Sequence, residues 1–261
     1  MEKHLLTGTL LPGATPIHND NINPVWRGNV LMGSYRRSMY VKQVNERTLA
    51  VEVMCAVLGR TLGLPMPRPA LVMAHPETLS SLERPTVLFG SESIENPDLK
   101  QWLRQDEEST AAHLLNWAQL LDAGCFDEWV ANADRHGGNI LYGGGKNFAL
   151  IDHSEAIPSY LKANEPAPSN SLLSFNANGK KETLIEQLYT KAKTSTTSYS
   201  QTHIYQAVLD VLADLSGQQT VDELTSFLSQ RTHDLLALIA QRIGHKQAPL
   251  ELTNVTVSRN T

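Results

Sequence analysis

The sequence predicts an α+β fold of two lobes. A small, mainly antiparallel β lobe with one helix covers residues 1–92, a mainly α-helical lobe covers 93–245, and a flexible tail covers 246–261. Three observations predict it. Up to Glu92, short apolar runs are bounded by Gly, Pro and Asn, the pattern of strands and turns, with one helical stretch among them. From Leu99 onward apolar residues recur at spacings of three and four, the helical period. Within that second part, two short apolar runs flank Gly143-Gly144-Gly145-Lys146 and read as a lone hairpin. Composition agrees with a soluble globular chain long enough to bury a core: 261 residues, 41% hydrophobic and 19% charged.

Taken in order, residues 5–11 read as an edge strand, followed by the turn Gly13-Ala14-Thr15-Pro16 and a polar loop from His18 to Pro24. Residues 30–32 and 38–44 read as a hairpin around Gly33-Ser34, and its second strand carries Lys42. Asn45 can cap a helix over 46–62, which Gly63, Pro65 and Pro67 end. Ala50, Met54, Val57, Leu58 and Thr61 give that helix an apolar face, while Glu52 shares another face with the small residues Cys55, Ala56 and Gly59. Residues 70–73 and 86–91 read as strands, and 91–97 as a polar connector. In the second lobe one helix is expected over 107–124, on Ala111, Leu114, Leu115, Ala118 and Leu121. Residues 126–131 then lead into a loop and the hairpin 140–142/148–152. Residues 153–180, with Pro158, Pro166 and Pro168, form an irregular segment. Helices over 182–193, 200–215 and 221–243 complete the lobe, the last with capping residues Thr220 and Asp222 and closed by Gly244.

The net charge of −5 gives no support for a nucleic-acid surface. Two cysteines, Cys55 and Cys125, lie in apolar helical patterns and read as small buried hydrophobes of a reducing compartment. No signal peptide or membrane-length apolar run is present, so the expected location is cytoplasmic. Trp117 and Trp129 read as core, and His113 as a residue of the surface or the core edge.

The chemistry gathers around the hairpin. Its outer ends come together, so Asn139 and Asp152 should lie close enough to share one cation. An amide oxygen and a carboxylate are hard donors suited to Mg²⁺. Asp134, five positions before Asn139, sits on the irregular loop where a group orienting an attacking hydroxyl would have to be. Asp-x-x-x-x-Asn, followed by a second Asp beyond a strand–turn–strand, is the catalytic half of a kinase.

The wording differs from ordinary protein kinases, because the order here is Asp134-Arg135-His136 and Ile151-Asp152-His153. This variant resembles the phosphoinositide kinases and, over a longer span, the HipA-like kinase family of bacteria. That family's run of Asp, Trp, Asn, Asp-Arg and Asn is matched by Asp127, Trp129, Asn132, Asp134-Arg135 and Asn139. Its helix glutamate leading to Gly-Leu-Pro-x-Pro is matched by Glu52, eleven residues before Gly63-Leu64-Pro65-Met66-Pro67.

The resemblance implies a two-lobed, protein-kinase-like fold and a Ser/Thr protein kinase that uses ATP and Mg²⁺. Lys42 takes the α- and β-phosphates and Glu52 holds Lys42, with Glu46 the competing partner. Asn139 and Asp152 bind Mg²⁺, and Asp134 orients or deprotonates the acceptor hydroxyl. Arg135 braces the loop, and His136 touches the transferring phosphate. Gly13, Ala14 and Thr15 are the candidate phosphate-covering loop, with a plain turn as the alternative, since no Gly-x-Gly-x-x-Gly occurs. Phe89, Gly90 and Ser91 belong to the adenine-contacting hinge, and His153 stands where protein kinases carry Phe. A protein is the first reading for the acceptor, and a lipid or small molecule the second. AMP transfer on the same fold and a nucleotide-binding pseudokinase are rivals. A metallohydrolase built on His136, Asp134, Asp152 and His153 lacks His-x-x-x-His spacing and leaves Lys42 and Glu52 unexplained.

Overall fold

The structure, a computed structural model, describes residues 4–17 and 23–245. The expected tail over 246–261 lies outside the described residues, as does most of the polar loop after Ile17. The first part of the chain forms strands β1 (Leu6–Leu10), β2 (Thr15–Pro16), β3 (Val25–Met32) and β4 (Tyr35–Lys42), helix α1 (Glu46–Thr61), and strands β5 (Pro69–Ala74) and β6 (Thr86–Glu92). They hydrogen-bond in the order β1-β5-β6-β4-β3, and β3 pairs back onto β1, so the sheet closes into a small barrel with β2 added on β3.

One expectation changes here. β1 is no edge strand: Thr9 and Leu10 pair antiparallel with Leu31 and Val30, while Leu6 to Thr9 pair parallel with β5. A parallel pairing needs a long crossover, and α1, lying between β4 and β5, carries the chain across. Closure removes the exposed edges that would otherwise invite strand addition. Gly8 makes it feasible, because a Cβ there would stand 2.6 Å from the Leu31 carbonyl oxygen and 2.6 Å from Val30 Cγ1. Leu10, Val30, Met39, Val41, Val72 and Leu88 fill the barrel interior.

Helix α1 starts where the sequence placed it: the Asn45 side chain accepts from the Thr48 N–H at 2.8 Å. Its burial is greater than a one-faced pattern implies, since every residue from Leu49 to Gly59 is buried. One side packs on β5 and β6, and the other is covered by two helices near the chain's end. A side chain at Gly59 would collide with Met66, so the small residue lets α1 approach the Gly63–Pro67 turn.

The second part holds α2 (Leu99–Gln105), α3 (Glu107–Leu115), α4 (Leu120–Trp129), the hairpin β7 (Ile140–Tyr142)/β8 (Phe148–Leu150), then α5 (Ser171–Ala177), α6 (Glu182–Thr196), α7 (Gln206–Ser216) and α8 (Gln218–Ile243). The single helix expected over 107–124 is broken in two. Asn116 turns its amide back onto the Ala112 carbonyl (2.9 Å), and Trp117 swings into the core against Phe148, ring centroids 5.1 Å apart. α7 begins later than expected, after a short 3₁₀ turn at Tyr199–Gln201. α8 starts at Gly217 (φ +85) with no side-chain cap, so Thr220 and Asp222 do not cap it; Gly244 ends it in the left-handed region, as anticipated. Cys55 and Cys125 are both buried and free. No helix among the described residues is long and apolar enough to cross a membrane.

Candidate active site

Lys42 is the last residue of β4, and Glu52 is buried midway along α1. The Lys42 ammonium lies 3.1 Å from Glu52 Oε1 and 2.8 Å from Asp152 Oδ1, joining the barrel, the helix and the end of the hairpin. Glu52 Oε2 accepts from the His153 N–H at 2.9 Å, so one carboxylate fixes both the lysine and the residue after Asp152. Glu46, the alternative partner, is exposed in the first turn of α1. Burial pushes the Glu52 carboxyl up to about 7 against the pull of Lys42, and the Asp152 charge adds to the rise. Burial would lower Lys42, but the charges of Glu52 and Asp152 outweigh it and leave its pKa raised. Asp152 behaves oppositely to Glu52. Burial raises it, yet the Lys42 charge and hydrogen bonds from Lys42 and Ser154 hold it well below the usual carboxylate range. At neutral pH Asp152 is therefore the fixed anion of the group.

Asp152 adopts a left-handed backbone (φ +56), an uncommon state for a non-glycine residue and one Asp tolerates better than most. Its Oδ1 takes Lys42 and Ser154, which leaves Oδ2 for a cation. Asn139 donates from Nδ2 to the Asp134 carbonyl (2.9 Å) and to Asp134 Oδ2 (3.1 Å), which leaves its Oδ1 as an acceptor. Two unclaimed hard oxygens at the outer ends of one hairpin suit Mg²⁺, which characteristically binds through one or two protein groups plus substrate phosphates.

The loop carrying Asp134 is built from the end of α4. Ala131 (φ +51) turns the chain out of the helix, and Asn132 ties the bend, its N–H to the Asp127 carbonyl (2.8 Å) and its Oδ1 to the Asp134 N–H (3.1 Å). Arg135 is wholly buried. It grips the Asp127 carboxylate at 2.9 and 3.0 Å and donates to the carbonyls of Asn139 (2.8 Å) and Ile151 (2.6 Å). Grouped with Asp134 and His136 in the catalytic loop, Arg135 itself reaches no open space and pins both ends of the hairpin. Asp134 and His136 do face outward; His136 Nδ1 accepts from the Gly138 N–H (3.0 Å), and its Nε2 lies 3.8 Å from Asp134 Oδ2.

A cleft of about 440 Å³ opens between barrel and hairpin, lined by Lys42, Glu52, Phe89, Ser91, Asn139 and Asp152 among others, with Ile17, Val25, Leu141 and Ile151 as apolar walls. Gly13, Ala14 and Thr15 are not in its wall. Ala14 packs over Gly28, and Thr15 pairs with Arg27 in β2. Gly90 is also elsewhere, wedged against Ala70 and Val72. The backbone of Phe89 to Ser91 is engaged by β4 and β5 on its two sides, while the Glu92 and Ser93 N–H groups go to Arg68 and Ser38 carbonyls. The edge open to a base therefore begins after Ser93, where Ile94, Asn96 and Gln101 line the cleft. Sequence reasoning missed these three; Asp98, the cap of α2, was the available signal that the connector turns back on the site. His153 is buried edge-on to Phe126, and among the described residues no three His, Cys, Asp or Glu side chains form a metal cluster.

Comparison with protein families matches residues 34–208 to the model described as HipA-like kinase. A comparison with curated protein sequences gave no significant match. Among solved structures, the Helicobacter pylori proinflammatory kinase CtkA is similar in fold, with a TM-score of 0.55 at 10% identity over 92% of this chain and 100% of that one.

Proposed function

The chain belongs to the HipA-like kinase family, and we propose that it transfers the γ-phosphate of ATP, with Mg²⁺, to a Ser or Thr hydroxyl of a protein. The observation that carries this reading is the meeting of Lys42, Glu52, Asn139 and Asp152 in one cleft with Asp134 at its mouth.

Phosphoryl transfer demands little covalent work from a protein; positioning and charge neutralisation supply most of the rate. Lys42, oriented by Glu52, offers its ammonium to the α- and β-phosphates. Asp152 Oδ2 and Asn139 Oδ1 would hold Mg²⁺, which supplies charge neutralisation on the phosphates. Asp134 is kept in place by Asn139 and Asn132 and receives or orients the acceptor's hydroxyl proton. His136, beside Asp134 and exposed, is placed to donate to the group in transfer. Asp127 acts through Arg135 and Asn132.

Protein, ATP labelled separately at the γ- and α-phosphate, Mg²⁺ and a host lysate test the reading. γ-Label on a polypeptide, lost in Asp134→Ala, is the expected result. γ-Label confined to lipid or small molecules would move the acceptor to that class, and α-label on protein would mean AMP transfer. ATP binding without any label would leave a pseudokinase, and no ATP binding would overturn the assignment.

A further inference from the structure

A second cavity, of about 520 Å³, lies between α1, the end of α4, the 3₁₀ turn at Tyr199–Gln201, α7 and α8. It shares no wall residue with the nucleotide cleft. Leu58, Trp129, Tyr199 and Leu228, all buried, form its inner wall. The Trp129 and Tyr199 rings stand 4.8 Å apart at 50°. Their polar atoms are already engaged. Trp129 Nε1 donates to the Leu228 carbonyl (3.1 Å) and to Thr232 Oγ (2.9 Å), and the Tyr199 hydroxyl donates to the Asp122 carbonyl (3.4 Å). Further hydrogen-bonding side chains, His203, Ser229 and His233, stand at the exposed rim. Among the described residues, no Asp, Glu, Lys or Arg lines the cavity.

These walls define what fits. Packed interiors leave few voids larger than a water molecule, whereas pockets that hold small molecules have this size, apolar and aromatic walls and a few polar groups. An ionised ligand would meet no carboxylate, ammonium or guanidinium here to offset its loss of water. A flat apolar body can lie against Trp129 and Tyr199, with one hydrogen-bonding group turned to the rim.

The position of the inner wall ties the cavity to both halves of the active site. Leu58 lies six positions after Glu52 on α1, about 9 Å along the helix axis. Trp129 ends α4, two residues before Ala131 (φ +51) turns the chain into the loop that carries Asp134. A molecule seated here touches the helix that orients Lys42 and the root of the catalytic loop at once. Ordering them in advance removes part of the cost of ordering them when nucleotide binds.

We propose that this cavity is a regulatory site for a neutral, flat aromatic molecule with one hydrogen-bonding group, and that its occupation tightens nucleotide binding. The site itself stands on the cavity alone; its coupling rests on the phosphotransferase reading.

The probe is N-phenyl-1-naphthylamine, a neutral aromatic amine whose fluorescence rises when it leaves water. It should bind the full chain saturably at one site. Ser229→Trp, a change at the exposed rim, should fill the mouth and weaken binding about tenfold or more, while Ser229→Ala should bind as the wild type does. Saturating dye should tighten Mg-ATP binding by roughly fivefold, and Mg-ATP should tighten the dye by the same factor, since such coupling is reciprocal. Amide hydrogen exchange should slow over 52–58 and 129–134 in the wild type and not in Ser229→Trp. Absence of saturable binding, binding undiminished in Ser229→Trp, or dye displaced by Mg-ATP overturns the site. Dye binding that moves neither nucleotide affinity nor exchange overturns the regulatory role. Wild-type protein that binds the dye as expected but no Mg-ATP overturns the phosphotransferase reading and the coupling, and supports the site.

Discussion

Replacing Arg135 by Met should be costly out of proportion to one side chain. The guanidinium makes two contacts to Asp127 and two to the carbonyls of Asn139 and Ile151, and both members of the ion pair are wholly buried. Stripping one partner leaves an uncompensated buried carboxylate, a loss of about 3–5 kcal/mol, against a total stability of about 5–15 kcal/mol for an ordinary domain. At about 2–4 °C per kcal/mol for a chain of this size, Tm should fall by roughly 10 °C. Urea unfolding followed by circular dichroism measures the loss. Asp127→Asn combined with Arg135→Met should be less damaging than the sum of the two, with a coupling of about 2 kcal/mol, because the stranded charge is gone. The two carbonyls flank the proposed metal ligands, Asn139 and Asp152, so the single variant should also need more Mg²⁺ for half-maximal transfer. A cost below about 1 kcal/mol, or strict additivity in the double variant, would refute the view that this pair holds the hairpin.

Asp152→Asn should still fold, with a lower unfolding midpoint because the carboxylate paired with Lys42 is gone, while transfer of γ-label falls at least a thousandfold; full activity would remove Asp152 from the proposed metal site. Glu52 has a raised pKa, so its contribution to stability is present in full below its unfolded value and is lost as pH rises through about 7. Glu52→Gln should therefore gain on the wild type between pH 5 and pH 8 in urea unfolding, and a constant difference would contradict the burial argument. Asp152, held low, contributes stability that is present above its unfolded pKa and lost only as pH falls through its folded value, so it adds nothing to that window. Gly8→Ala should destabilise by about 1–3 kcal/mol through overpacking against Leu31 and Val30 at the barrel seam, and an unchanged midpoint would mean that the seam yields freely.

What could be read from the sequence was whatever short-range chemistry decides. Asn45 followed by Glu46 and an apolar run marks a helix start whatever surrounds it, and Gly143 to Lys146 demands a tight turn. Asn139 and Asp152 followed from that turn alone. The closure of the barrel did not, because Gly8 against Leu31 is a pairing between distant strands with no local signature. The break at Asn116 was hidden because Leu114, Leu115, Ala118 and Leu121 keep the helical period across it; only the pull of Trp117 toward Phe148 ends the helix. Glu128 was hardest to see. It reads as one more charged residue beside Asp127, and its meaning depends on Arg231 and Arg242, more than a hundred positions away.

The burial of α1 has a consequence for biosynthesis. The helix that carries Glu52 is covered on one side by β5 and β6, which follow it closely, and on the other by α7 and α8, the last helices among the described residues. A chain still emerging from the ribosome has made Lys42 and Glu52 long before it makes the surface that shelters them. The side of α1 that α7 and α8 cover stays open until synthesis passes Gln206. A ribosome stalled before Gln206 would hold α1 with that apolar side exposed, in need of a chaperone.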